Sequence, residues 1–176
     1  EYIKFFNKKP KLIIIMKLYF YCEANLETGL GHYIRCNRLL TNLKKFKKIY
    51  PVILTKNTKL AKKIFKNCKI INFKTNLKNY FKNFHKKTIL VIDPPYYPKR
   101  IVKEEIKDIP LKSNIKIVRL TDEFKAKSHE CDILINDYPG SKKFLKTYKK
   151  NSRIKKFFLG QEYFLYDTSY KSFESK

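Results

Sequence analysis

A histidine directly behind a pair of glycines, with arginines three and six positions on, is the part of this sequence best suited to catalysis. It reads Gly29-Leu30-Gly31-His32-Tyr33-Ile34-Arg35-Cys36-Asn37-Arg38. The chain has only four glycines, so two of them in one turn mark a place where backbone conformation or close approach to a ligand matters. A helix starting there would aim its first N–H groups at an anion. Its dipole favours the uncharged imidazole. Such a ring can take a proton from water, and general base catalysis of that kind is worth about 10²–10⁴-fold. The competing role for His32 is structural, as a ring that caps or packs beside the glycine turn. Arg35 is placed to brace the loop, to meet a phosphate or to form an ion pair.

Carboxylates and tyrosines recur where other apolar runs end. Glu23 follows the first run, Asp93 closes Thr88-Ile89-Leu90-Val91-Ile92 with Tyr96 just beyond, and Asp122-Glu123 follows Ile115 to Leu120. The aspartates would orient ligand hydroxyls or an attacking water, or cap the helix or turn that comes next. His85 and His129 lie in lysine-rich or loop surroundings, and three scattered histidines make no metal site. The glycine pair is not a dinucleotide fingerprint. Ile34 stands where a third small residue is needed, and no acidic residue ends the second strand at Pro51 to Thr55. No cofactor is expected.

Positioning these groups requires short strands alternating with helices. Met16 to Tyr21 runs into the first strand, which Leu12 to Ile15 could extend, and His32 to Tyr50 reads as an amphipathic helix of about five turns, with Ile34, Cys36, Leu39, Leu40, Leu43, Phe46 and Tyr50 at helical spacing. Strands follow at Pro51 to Thr55, Lys69 to Phe73, Thr88 to Asp93, Ile115 to Leu120, Asp132 to Asn136 and, shorter, Phe157 to Gly160. Helices are expected at Leu60 to Asn67, Leu77 to His85 and Ile101 to Ile109, and a lysine-heavy loop from Ser141 to Lys156. Nearly continuous apolar strands between helices imply a mostly parallel sheet covered on both faces. The expected fold is a single α/β domain, Rossmann-like and doubly wound, with its ligand at the carboxyl ends of the strands.

Composition limits the alternatives. The net charge of +26 comes almost entirely from lysine, with five arginines in the chain. Bidentate phosphate and base recognition favours the guanidinium fork. The surface should therefore attract anions, while specific nucleic-acid binding is not expected. The cysteines (Cys22, Cys36, Cys68, Cys131) form no C-x-x-C pair and are expected as reduced thiols in a cytoplasmic protein. The apolar run Leu12 to Met16 is far short of the roughly 20 residues of a membrane span. Met16 looks like an ordinary start, so residues 1–15 are expected to be an upstream tail or fusion remnant, such as the end of a sugar nucleotidyltransferase.

The ordered set of motifs resembles a known family. Cys22-Glu23-Ala24-(x)4-Gly29-Leu30-Gly31-His32-(x)2-Arg35-Cys36 resembles the N-terminal signature of the UDP-sugar hydrolases of pseudaminic acid biosynthesis and their spore-coat polysaccharide relatives. Asp93 with Tyr96 looks like the family's Asp-His-Tyr element. Asp122 followed by Cys131-Asp132-Ile133-Leu134-Ile135-Asn136 is similar to its Asp … Cys-Asp-x-x-x-Asn run, and Gly160-(x)2-Tyr163-Phe164-Leu165 to its Gly-x-x-Tyr-x-Leu segment. The likeness spans Met16 to about Tyr166. It implies the N-terminal half of a two-domain GT-B protein, with residues 16–166 as the Rossmann-like domain and 167–176 opening a linker. It also implies hydrolysis of UDP from a 2,4-diacetamido-2,4,6-trideoxyhexose. His32 would activate water, and Glu23, Gly29, Gly31, Arg35, Asp93, Tyr96, Asp122 and Tyr163 would bind substrate. A C-terminal nucleotide-binding domain is the implied partner, without which this chain should bind UDP weakly and turn over little. The sequence departs from the family pattern at Tyr21 and Glu23 (usually Arg and Asp), at Pro94-Pro95 (usually His-Tyr) and at Asp167 (usually Arg). The alternatives are half of a GT-B glycosyltransferase, a non-catalytic lysine-rich module binding anions or nucleic acid, and a degenerate fragment without activity.

Overall fold

The computed structural model describes residues 17–26, 29–44, 49–93, 114–122, 131–150 and 153–164. Seven parallel strands form one sheet: β1 (Lys17–Cys22), β2 (Val52–Thr55), β3 (Lys69–Asn72), β4 (Thr88–Asp93), β5 (Ile115–Thr121), β6 (Ile133–Asn136) and β7 (Lys156–Leu159). Their order is β3-β2-β1-β4-β5-β6-β7. The chain winds outward from β1 to β3, then returns to the other side of β1 and winds the opposite way. The reversal leaves a crevice outside the carboxyl ends of β1 and β4, the place where open parallel sheets bind ligands. Cys22 and Asp93 are register partners at its floor.

Apolar residues alternate between the two faces because successive strand side chains point opposite ways. Leu18, Phe20 and Cys22 join Ile53, Val91, Leu120 and Ile135 under helix α1 (Gly31–Lys44) and helix α2 (Thr58–Ile64), whose Tyr33, Cys36, Leu40 and Ala61 complete that core. Tyr19 and Tyr21 instead join Leu54, Leu90, Ile92, Ile117 and Leu134 on the far face, under α3 (Leu77–Phe81) and α4 (Leu145–Tyr148). Edge-to-face rings of Tyr19, Tyr80, Phe81 and Phe84 dominate that second core. Asparagines start two of the helices: Asn57 accepts a hydrogen bond from the Leu60 N–H, and Asn76 from the Asn79 N–H.

The doubly wound parallel sheet is as expected, with three local corrections. Helix α1 is described to Lys44, and Tyr50, expected on its apolar face, lies outside it and is exposed. The α2 and α3 helices are shorter than their apolar spacing suggests, ending at Ile64 and Phe81. The expected loop from Ser141 holds a 3₁₀ turn (Ser141–Phe144) running into α4. There Tyr148 reaches the core, and its hydroxyl accepts a hydrogen bond from the Asn136 side-chain amide at 3.2 Å. The expected helix at 101–109, the tail at 1–15 and the linker at 167–176 lie outside the described residues.

Candidate active site

Period-two alternation decides which strand-end side chains meet. On β4, Val91 faces α1 while Ile92 faces away, so Asp93 faces α1 as well. The same parity carries Thr55 at the end of β2, Asp122 after β5 and Asp137 after β6 toward α1. Helix α1 supplies the matching groups at three- and four-residue spacing: His32, Arg35 and Cys36.

The Asp93 carboxylate is fully buried and held from three directions. His32 Nδ1 lies 3.0 Å from Oδ1, Arg35 Nε donates to Oδ2 at 2.8 Å, and Arg35 Nη2 donates to Oδ1. The Cys36 thiol is 3.8 Å from Oδ2. Burial alone would raise the Asp93 pKa. The Arg35 guanidinium, with the hydrogen bonds from His32 and Arg35, overcomes it and holds the carboxyl below its ordinary value. Asp93 is therefore ionised near neutrality and can only accept hydrogen bonds. Nδ1 of His32 must then carry the proton it shares with Asp93, and in the uncharged ring Nε2 is the acceptor. The His32 side chain keeps about one-sixth of its surface (16%) open.

Arg35 gathers the carboxylates of three consecutive strand ends. Besides Asp93, its Nη1 lies 3.4 Å from Asp122 and 3.9 Å from Asp137. Burial lowers the pKa of the guanidinium, but Asp93 beside it more than compensates, and the net shift is upward. Its Nη2 is also 3.5 Å from His32 Nδ1, but both nitrogens donate to Asp93 Oδ1, so the carboxylate joins the cation to the imidazole.

Glu23 belongs to a second network on the other side of the crevice. Its carboxylate accepts from the Thr55 hydroxyl at 3.0 Å and from the Lys56 backbone N–H at 2.9 Å, and the Tyr33 hydroxyl bonds Thr55. Asn57 adds a bond from its side-chain amide to the Ala24 carbonyl at 3.2 Å, tying the start of α2 to the loop after β1. Glu23 thus clamps that loop to the end of β2. Thr55 and Tyr33 are residues that sequence reasoning missed, since hydroxyls two strands apart carry no pattern. Asp137 was missed too, although its place directly after an apolar strand was a sufficient signal.

The two glycines do different things. Gly29 has φ +67 and closes a turn through its N–H to the Asn25 carbonyl at 2.9 Å. Gly31 is the first residue of α1, and a Cβ there would meet nothing within 4 Å. Gly29→Ala should cost about 1–2 kcal/mol through left-handed backbone strain. Gly31→Ala should leave the urea midpoint unchanged or raised, because alanine is the better helix residue. If the open space above Gly31 is where ligand meets backbone, that same variant raises KM. A Gly31→Ala protein with unaltered KM would show that no ligand approaches there.

Asp122 sits at the rim with its side chain two-thirds exposed. The Tyr163 ring packs edge-on against Phe158, with centroids 5.3 Å apart, against the α1-side core. The exposed ring of that segment is Phe164. Tyr96 and His129 lie outside the described residues. Among the described residues no group of three or more His, Cys, Asp or Glu side chains is arranged to hold a metal ion, and no helix is long and apolar enough to cross a membrane.

What the fold and site define is a class: a Rossmann-like α/β domain with a histidine–aspartate–arginine cluster at its topological switch point. No protein family, curated protein or solved structure matches the chain.

Proposed function

We propose that this chain is the water-activating, N-terminal half of a nucleotide-sugar hydrolase, releasing UDP from a 2,4-diacetamido-2,4,6-trideoxyhexose for nonulosonic acid synthesis. The observation that carries the reading is the 3.0 Å contact between His32 Nδ1 and the buried Asp93 carboxylate at the β1–β4 crevice. It fixes the tautomer in which Nε2 accepts. Nε2 takes a proton from water as the water oxygen bonds to the anomeric carbon. The bond from that carbon to the diphosphate oxygen breaks, and UDP leaves with the electron pair. In this reading a second GT-B domain grips the nucleotide, and the described domain supplies the base.

Hydrolysis run in H₂¹⁸O tests the proposal. Attack at the anomeric carbon puts ¹⁸O in the sugar and none in UDP, read by mass spectrometry. Label in the UDP means attack at phosphorus and overturns the reading. The glycosyltransferase alternative uses the same base on an acceptor hydroxyl, and would give glycosylated acceptor with no label in the sugar.

A further inference from the structure

Beyond the carboxyl ends of β5, β6 and β7 lies an open cleft of about 370 Å³, lined by Asp122, Asp137, Tyr138, Pro139, Gln161 and Phe164. It adjoins the His32–Asp93 pair through Arg35, which meets Asp122 and Asp137 as well as Asp93. Its walls are set by the protein itself. Asn136, fully buried at the end of β6, accepts the Tyr138 N–H on its Oδ1 at 3.0 Å. Its backbone carbonyl accepts the Ser141 hydroxyl at 2.9 Å and the Gly160 N–H at 3.0 Å. One buried residue thus fixes where both sides of the cleft begin. On the outer side Lys142 Nζ lies 2.6 Å from the Glu162 carboxylate, joining the 3₁₀ turn after β6 to the turn (Gln161–Tyr163) that leads into Phe164. A preformed cleft with ring surfaces and a few polar groups is the usual form of a small-molecule site.

The lining decides what fits. None of its six residues is cationic, and the Arg35 guanidinium behind them is engaged by Asp93, Asp122 and Asp137. A diphosphate would meet like charge there, so the cleft suits the uncharged end of the substrate. Phe164 supplies an apolar ring, two-fifths of whose surface is exposed (43%), and Pro139 adds to it. Two polar groups accompany them. Asp122 meets Arg35 through Oδ2, and its Oδ1 is a second acceptor. Gln161 offers an amide that both donates and accepts. An N-acetyl group carries the complement of all three features: a methyl, an N–H and a carbonyl. A hydroxyl or an ammonium in its place uses the polar groups and leaves the ring in water.

We infer that this cleft receives one acetamido group of the sugar, with its methyl on Phe164 and Pro139, its N–H on Asp122 and its carbonyl on the Gln161 amide. Phe164 is then the residue that sets the preference for N-acylated over hydroxylated sugars. The inference rests on the proposed function for the ligand being an N-acetylated sugar. It adds where that group sits and how the substrate lies: the sugar's acyl end toward β5 to β7, the diphosphate away from the two carboxylates.

Binding of N-acetyl-D-glucosamine, D-glucosamine and D-glucose to the full chain, followed by titration NMR, tests it. The N-acetyl sugar is expected to bind about tenfold more tightly than the other two, in keeping with one buried methyl and one net hydrogen bond. Phe164→Ala should abolish that preference, while Phe164→Tyr, which keeps the ring, should retain it. Both variants should melt within a few degrees of the parent because the ring is partly exposed, which separates lost binding from lost fold. Equal binding of the three sugars, tighter binding of D-glucosamine, no binding of the N-acetyl sugar, or a preference that survives Phe164→Ala overturns the inference. None of these readouts involves hydrolysis. Label in the UDP would therefore overturn the proposed reaction and leave the sugar preference standing, whereas label in the sugar with no N-acetyl preference would overturn the inference alone.

Discussion

His32→Asn should lower the rate of UDP release about 10²–10⁴-fold with little change in KM. Asparagine is chosen because its amide N–H can occupy the place of Nδ1 and keep the bond to Asp93, while nothing replaces Nε2. Loss confined to the turnover number would mark an interaction made only as the reaction proceeds. A fall in melting temperature of more than a few degrees would instead mean that the ring is a structural member of the cluster. A variant retaining most of the parent rate would remove His32 from the chemistry.

Arg35→Met is the substitution expected to damage the fold most, by about 3–5 kcal/mol of unfolding free energy, because it leaves a fully buried carboxylate without its cation. Adding Asp93→Asn should return a substantial part of that loss, since the buried charge goes with it. The effect has a defined pH dependence. In the parent, Asp93 has a folded pKa below its unfolded one, so its contribution is complete above about pH 4. It is lost only as pH falls through the lower folded value. In Arg35→Met the largest effect opposing burial is gone, with the His32 hydrogen bond remaining, and the pKa moves up, so acid favours the folded variant relative to the parent. The gap in urea midpoints between the two proteins should therefore narrow from pH 7 to pH 4. A gap that is constant with pH would mean that the Arg35–Asp93 pair is not the source of the loss.

The strands were the legible part of this sequence, for a physical reason. A strand in a doubly covered parallel sheet is apolar on both sides, and Thr88 to Asp93 shows this plainly, with a carboxylate marking its end. The meeting of His32 with the end of β4 also followed from the sequence, because the sheet edge collects whatever ends each strand. The partners were harder. Asp93 looked like a group for a ligand's hydroxyls, whereas it lies fully buried behind His32 and Arg35. Burial depends on the parity of its neighbours and cannot be seen from its place in the chain. Lysine hid α4 within what read as a loop, since a short helix anchored by Tyr148 has too few apolar positions to show a period. Tyr163 and Phe164 are adjacent, and which of them turns to the cleft was decided by Phe158, a residue of another element.

The strand order has a consequence for how this molecule is made. His32 and Asp93 are 61 residues apart, and β1 acquires its second neighbour only when β4 docks beside it. During synthesis the first three strands can associate as they emerge, yet the reactive pair cannot close until the fourth has left the ribosome. Such long-range parallel pairing is slow. The contacts of Arg35 with Asp122 and Asp137 wait longer still, for β5 and β6 to follow β4 into the sheet.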